Sequence, residues 1–299
     1  MARLGQVVVS VWAWLVLAAC LLLWFPAMLL VWAVTAPRDP GRYAVGYMFR
    51  KIGVVMATLN PYWTFRRSGT PPRDPRRPYV VVSNHESFAD ILLISHLPWE
   101  MKWLSKAELF RIPVLGWMMW LAGDIPVRRG RGRSALEALQ RCRTVLRRRV
   151  SVMIFPEGTR SSGELLPFKD GAFRLAIEAG VPVLPLALLG TGTALPKRGW
   201  RVGRATAEVR VLEPIETAGL TLSDTAALRE RARAAIAAGL HALRRERARA
   251  EGLAQPSLLA AEIGGRADPP DGARERPQRE QVRQHEEDLI GDREPERLE

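Results

Sequence analysis

Residues 7–34, VVVSVWAWLVLAACLLLWFPAMLLVWAV, contain no charged side chain. A helix needs about 20 apolar residues to cross a bilayer, so the run is long enough. Trp12, Trp14, Trp24 and Trp32 suit a segment anchored at the membrane interface, and Pro26 is expected to kink the helix or to divide it into a re-entrant hairpin. The stretch is about twice the length of a signal-peptide core, which favours a retained membrane segment. From Arg38 to about Asn60 the pattern becomes amphipathic. Arg42, Arg50 and Lys51 alternate with Tyr43, Val45, Met48, Phe49, Ile52 and Val55, which predicts a second helix, lying on a membrane surface or packed as an ordinary helix. The Pro-rich residues 69–78 read as a linker.

Beyond the linker, apolar runs and helical patterns alternate. Strands are predicted at 79–83 (YVVVS), 150–155, 181–189 and 205–212. Ser134-x-x-Glu137 reads as a capping box opening a helix that carries Leu136, Leu139, Cys142 and Leu146. Asp170 is placed to cap a helix through Ala179, which Gly180 stops, and residues 222–250 form a long Ala/Arg helix. This alternation predicts an α/β fold, a mostly parallel sheet flanked by helices, preceded by an N-terminal apolar membrane helix or helical hairpin. The expected division is 1–68 for the membrane-anchoring helices and 69–250 for the α/β domain. Residues 251–299 are expected to be a disordered charged tail, because they hold too few large apolar groups to offset the entropy of ordering.

Charge sharpens this picture. Of the 44 basic and 31 acidic residues in the chain, the tail holds 7 and 13, which leaves 37 and 18 in residues 1–250. A body this basic favours anionic partners, among them an anionic membrane surface, phosphorylated substrates or an acidic carrier protein. Nucleic acid is disfavoured, since the chain shows no zinc-finger spacing, no aromatic–glycine RNA-binding signature and no basic region leading into heptads. The two cysteines, Cys20 and Cys142, have no paired spacing, so neither a disulfide framework nor a zinc site is indicated.

Candidate chemistry sits at strand ends. Asn84-His85-Glu86-Ser87-Phe88-Ala89-Asp90 follows the first predicted strand. An Asp five residues after a His can turn back and accept the imidazole Nδ1–H, which leaves Nε2 to take a proton. No G-x-S-x-G elbow supplies a nucleophile, so His85 is expected to activate a substrate hydroxyl directly; Ser87, two residues away, is the alternative nucleophile. No second His at helical spacing supports a metal. Phe155-Pro156-Glu157-Gly158-Thr159-Arg160-Ser161 follows another strand. There Gly158 exposes backbone N–H groups, Arg160 is a planar fork suited to phosphate, and Glu157 can bond a polyol or hold the arginine. Lys169 adds a cation at a helix start. Gly123-Asp124-Ile125-Pro126-Val127-Arg128-Arg129 ends in two arginines, either of which can meet an anion, and Val181-Pro182-Val183-Leu184-Pro185 reads as a core strand with a shaped end.

These four blocks, in this order, resemble the glycerolipid acyltransferase family, with Lys106-Ala107-Glu108-Leu109, Pro113 and Gly116 matching the lead-in to the second block. The resemblance spans roughly 80–190. It implies transfer of a fatty acyl group from acyl-CoA or acyl carrier protein to the sn-2 hydroxyl of 1-acyl-sn-glycerol-3-phosphate, with no cofactor beyond that co-substrate. Lyso-ornithine lipid, lysophosphatidylglycerol or glycerol phosphate are alternative acceptors, and a non-catalytic lipid-binding module is the alternative outside enzymes. The resemblance also implies His85 as base and Asp90 as its partner. It places Asn84, Ser87, Arg129, Glu157, Gly158, Thr159, Arg160 and Lys169 at the acceptor site, and its register favours Arg129 over Arg128. A cell-membrane enzyme with its catalytic domain on the cytoplasmic side is expected.

Overall fold

A computed structural model describes residues 2–128, 130, 132–161, 163–196, 199–250 and 252. Two helices open the chain, α1 (Ala2–Thr35) and α2 (Tyr43–Thr58). β1 (Trp63–Gly69), β2 (Val80–Ser83), α3 (Ala89–Ile94) and β3 (Met101–Lys106) follow. A 3-10 turn at Ala107–Arg111 leads to α4 (Leu115–Ala122), β4 (Ile125–Val127), α5 (Gly132–Arg147) and β5 (Ser151–Ile154). The remainder is α6 (Gly171–Ala179), β6 (Val183–Leu189), β7 (Ala205–Val211), a 3-10 turn at Leu222–Asp224 and α7 (Thr225–Ala250). The seven strands form one sheet in the order β1-β7-β6-β2-β5-β3-β4. Every pairing is parallel except β6 with β7, so the expected α/β architecture holds.

Helices cover both faces of the sheet, and this is why its central strands read as unbroken apolar runs. Side chains alternate between faces along a strand. Val80 and Val82 join Val152, Ile154, Val183 and Ala187 in the core beneath α5, α6 and α7. Val81, Met153, Leu184, Leu186 and Leu188 point the other way, toward Leu93, Ile94 and Trp103. Gly180 ends α6 with φ +62, as expected of a left-handed cap. Two predicted caps are not made. Asp170 precedes α6 without a side-chain cap bond and instead pairs with Arg229 at 2.6 Å. Ser134 Oγ accepts the Arg128 N–H at 3.0 Å, and α5 begins two residues before it, at Gly132.

α1 is one continuous helix with Pro26 inside it, not a hairpin. It is long and apolar enough to cross a membrane, by length and composition. Yet one side of it is bound to the rest of the fold. The indoles of Trp12, Trp14 and Trp24 donate to the carbonyls of Leu59, Trp200 and Met48 at 2.8, 2.8 and 3.1 Å. Ala13, Val16, Cys20 and Met28 share a core with Val45, Ile52, Trp63, Leu92 and Met118. Leu4, Leu15, Leu22, Leu23 and Leu30 face outward, each more than half exposed. The boundary expected at residues 68 and 69 falls within β1, so the sheet begins at Trp63, and contacts unite Met1–Leu253 in one unit. The expectation for residues 251–299 lies, apart from Gly252, outside the described residues.

Between α2 and the sheet lies a quartet of buried charges. The Arg50 guanidinium from α2 forks onto the Asp124 carboxylate, with Nη1 donating to Oδ2 at 3.1 Å, and its Nη2 also reaches the Met101 carbonyl at 3.3 Å. Arg50 Nε lies 3.5 Å from Glu100 Oε2, and Lys102 Nζ donates to Glu100 Oε1 at 2.9 Å and to the Arg42 carbonyl at 2.8 Å. The Trp103 N–H donates to Asp124 Oδ1 at 3.0 Å. Gly46 lets α2 approach this closely, because a Cβ there would collide with Glu100 and Lys102. Removing one member of a buried ion group leaves an uncompensated charge. Asp124→Ala is therefore expected to cost about 3–5 kcal/mol of stability, read as a lowered denaturation midpoint in detergent. A loss under about 1 kcal/mol, the size of an exposed pair, would show that the quartet carries little.

Candidate active site

β2 lies between β5 and β6, and its carboxyl end delivers Asn84 and His85 beside Phe155, the residue after β5. Asn84 acts as a two-way tie. Its side-chain amide donates to the Leu188 carbonyl and accepts the Leu188 N–H, both at 2.9 Å, which fixes the strand end against β6. The chain then turns into α3, and His85 Nδ1–H donates to Asp90 Oδ2 at 2.7 Å. The same oxygen accepts the N–H groups of Glu86 at 2.8 Å and Ser87 at 3.1 Å. The other oxygen accepts the Thr191 hydroxyl. Asp90 is fully buried, so this set of donors supplies what water would otherwise give. With Nδ1 committed to the carboxylate, the neutral imidazole presents Nε2 as its proton acceptor.

The imidazole is also held by its face. The Phe155 ring lies parallel to it, centroids 4.0 Å apart at 16°, and Trp103 packs against Phe155 at 6.1 Å. The Arg50 guanidinium sits 5.4 Å from the Trp103 ring. A column of three rings thus runs from the site histidine to the buried quartet.

Glu157 has a different place from the one expected. Rather than facing a polyol or Arg160, it is buried and accepts the His85 N–H on Oε1 at 2.8 Å and the Leu166 N–H on Oε2 at 3.1 Å. The Ser161 N–H donates to the His85 carbonyl at 2.8 Å. The second loop is therefore tied to the first through both peptide groups of His85. Ser87 is likewise engaged: its hydroxyl donates to the Leu195 carbonyl at 2.9 Å and accepts the Ala89 N–H at 3.2 Å. A serine whose proton already goes to a carbonyl is not set up as a nucleophile for His85.

The expected cations separate into two places. Arg160 lines a cleft of about 560 Å³ together with Glu86, Gly190, Arg244 and Arg247. Gly158 and Lys169 line another cavity, of about 340 Å³, with Arg128, Leu104 and Phe155. Gly158 adopts φ +73, a left-handed conformation that favours glycine, and its open side meets only the flexible end of Lys169. Thr159 is exposed. Arg129 lies outside the described residues. Among the described residues no group of three or more His, Cys, Asp or Glu could hold a metal ion. Sequence reasoning missed Thr191, which lies 101 positions from the carboxylate it serves and belongs to no block recognised above.

The mostly parallel sheet, with a histidine and an aspartate paired at a strand end, defines an α/β domain with a candidate acid–base site. Residues 65–189 match the family model described as Acyltransferase, and this stretch holds all four sequence blocks. That match is to the same family that the sequence blocks resemble. Among curated proteins, the chain is 46% identical over 131 residues to a 1-acyl-sn-glycerol-3-phosphate acyltransferase of Chlamydomonas reinhardtii, covering 44% of this chain and 39% of that protein. It is 48% identical over 120 residues to the chloroplastic 1-acyl-sn-glycerol-3-phosphate acyltransferase BAT2 of Brassica napus, covering 40% and 35%. It is 41% identical over 162 residues to the alpha form from Homo sapiens, covering 53% and 57%. The chain thus spans well under two thirds of each of these relatives. Among solved structures, the 1-acyl-sn-glycerophosphate (LPA) acyltransferase PlsC from Thermotoga maritima matches with TM-score 0.70 and 25% identity, covering 82% of this chain and 98% of that one.

Glu86 gives the site a pH signature. Burial, followed by the neighbouring Asp90 charge, raises its carboxyl above the ordinary value. The folded state therefore keeps a proton that the unfolded chain has released, and its stability falls as pH rises from about 4.3, the unfolded value, through the higher folded one. Glu86→Gln removes that titration. Its Tm relative to the parent is expected to climb as pH rises from 4 toward neutrality; a difference independent of pH would show that Glu86 is ionised in the fold at no cost.

Proposed function

We propose that the protein transfers a fatty acyl group from an acyl thioester to the sn-2 hydroxyl of 1-acyl-sn-glycerol-3-phosphate, yielding phosphatidic acid for phospholipid synthesis. The observation that carries this is the buried His85–Asp90 pair in a domain whose named relatives acylate that acceptor. His85 Nε2 takes the hydroxyl proton as the oxygen attacks the thioester carbonyl carbon. The C–O bond forms, and the carbonyl π electrons move onto oxygen. Collapse of that intermediate breaks the C–S bond, and the imidazolium returns its proton to the departing thiolate. Asp90 holds the productive tautomer and offsets the imidazolium charge. Arg160, with Arg129 and Lys169, supplies cations for the phosphates that the two substrates carry.

The outward apolar face of α1 attaches the protein to a membrane, and the basic body suits the anionic cytoplasmic surface of the cell membrane. Buried on one side against the fold, α1 brings the lipid phase alongside the domain, where a lysophospholipid is found.

Purified protein in detergent is expected to consume acyl-CoA or acyl carrier protein in the presence of the lysophosphatidate. His85→Ala should lower turnover by about 10²- to 10⁴-fold while keeping fold and liposome binding, and Asp90→Asn should be severely impaired because an amide no longer stabilises the imidazolium. Transfer to no lysophospholipid from either donor, by folded protein, would reject the proposal. Ser87→Ala is expected to keep turning over, with no acylated protein trapped from donor alone. A kinetically competent acyl-Ser87 would instead establish a covalent route.

A further inference from the structure

The reaction proposed above brings two anionic substrates to one histidine, and the fold offers basic clefts on both sides of it. Toward β6 lies the Arg160 cleft. Toward β4, at the opposite edge of the sheet, an open cleft of about 540 Å³ lies between the 3-10 turn, α4 and α5, lined by Arg111, Arg128, Arg133, Arg141, Phe110 and Trp120. Glu137 is the one acidic side chain in that lining, and it is bonded to Arg133 at 3.2 Å. Among the described residues, Arg111, Arg128 and Arg141 have no carboxylate partner. Like charges held around a concavity repel each other unless an anion enters it. The planar guanidinium fork matches phosphate oxygens in pairs.

Resting on that functional reading, we propose that this cleft holds the adenosine 3′,5′-bisphosphate end of an acyl-coenzyme A donor. Three observations favour a nucleotide over the acidic surface of a carrier protein. The first is shape: the site is a recess of ligand size in which several cations converge. The second is the aromatic wall. Trp120 is 46% exposed and braced edge-on by Phe110 at 4.9 Å, so it offers a face on which a purine can stack. The third is continuity. Arg128 also lines the adjoining cavity of about 340 Å³, which is mostly apolar and reaches Phe155 and Pro156; Phe155 is the ring against His85. A donor held by its nucleotide has its pantetheine arm led past Arg128 toward the histidine, while the acceptor phosphate takes the Arg160 side.

The test uses the full chain in detergent micelles. Arg111 and Arg141 are both exposed, so Arg111→Gln/Arg141→Gln is expected to keep its Tm. Adenosine 3′,5′-bisphosphate alone should bind the parent in a calorimetric titration and should compete with acyl-CoA but not with the lysophospholipid. In the double variant that binding should be lost, and the KM for acyl-CoA should rise about ten- to hundredfold, with kcat, the acceptor KM and the KM for acyl carrier protein unchanged. Absence of binding to the parent, or equal binding to the variant, overturns the proposal. So does a KM that rises for acyl carrier protein and not for acyl-CoA, which would make the cleft a protein-docking surface. If no donor supports transfer at all, the functional reading fails, while the titration still decides what the cleft holds.

Discussion

Arg50 and Asp124 have to find each other before the site can exist. Both are buried, and neither can leave water without the other unless its charge is met. One comes from α2 and the other from the turn into β4, so their pairing docks the N-terminal helices onto the sheet. Glu100 and Lys102 complete a group with two charges of each sign, and burial pushes the Glu100 carboxyl up and the Lys102 ammonium down. The same Asp124 accepts the Trp103 N–H, which sets the ring that supports Phe155, which in turn faces His85. The placement of the imidazole thus depends on electrostatics that it never touches.

The second constraint is the pair of main-chain ties at His85. Parallel strands deliver the two motif loops to the same edge of the sheet, but strands alone leave loops free to differ in height and angle. The Glu157 carboxylate and the Ser161 N–H remove that freedom by binding the N–H and the carbonyl of one residue. Asn84 does the same between β2 and β6. Polar side chains in these blocks serve the backbone, while Arg160 and Lys169 line the neighbouring clefts.

How much of this could be read from the chain follows from where each signal resides. β2, β5 and β6 were legible because they are covered on both faces and carry little but aliphatic side chains. β3 was not, because MKWLSK hides its buried Lys102 among residues that look like a surface stretch; only the distant Arg50 and Asp124 make that lysine's company acceptable. β1 pairs through one edge only and exposes Arg66 and Arg67, so its pattern imitates a loop. Asp170 and Ser134 look like caps locally, yet their partners are Arg229 and Arg128. At the site, His85 with Asp90 is a local pair and was legible. Thr191 and the true partners of Glu157 were not, since they meet only when β2, β5 and β6 align.

Because the two peptide groups of His85 fasten the loops together through Glu157 and Ser161, the intervening Thr159 and Arg160 carry little structural duty. Thr159 and Arg160 can be exchanged while the imidazole keeps its place. The scaffold therefore separates what holds the imidazole from what lies beside it, and a lineage can vary those neighbouring positions without passing through a misfolded ancestor.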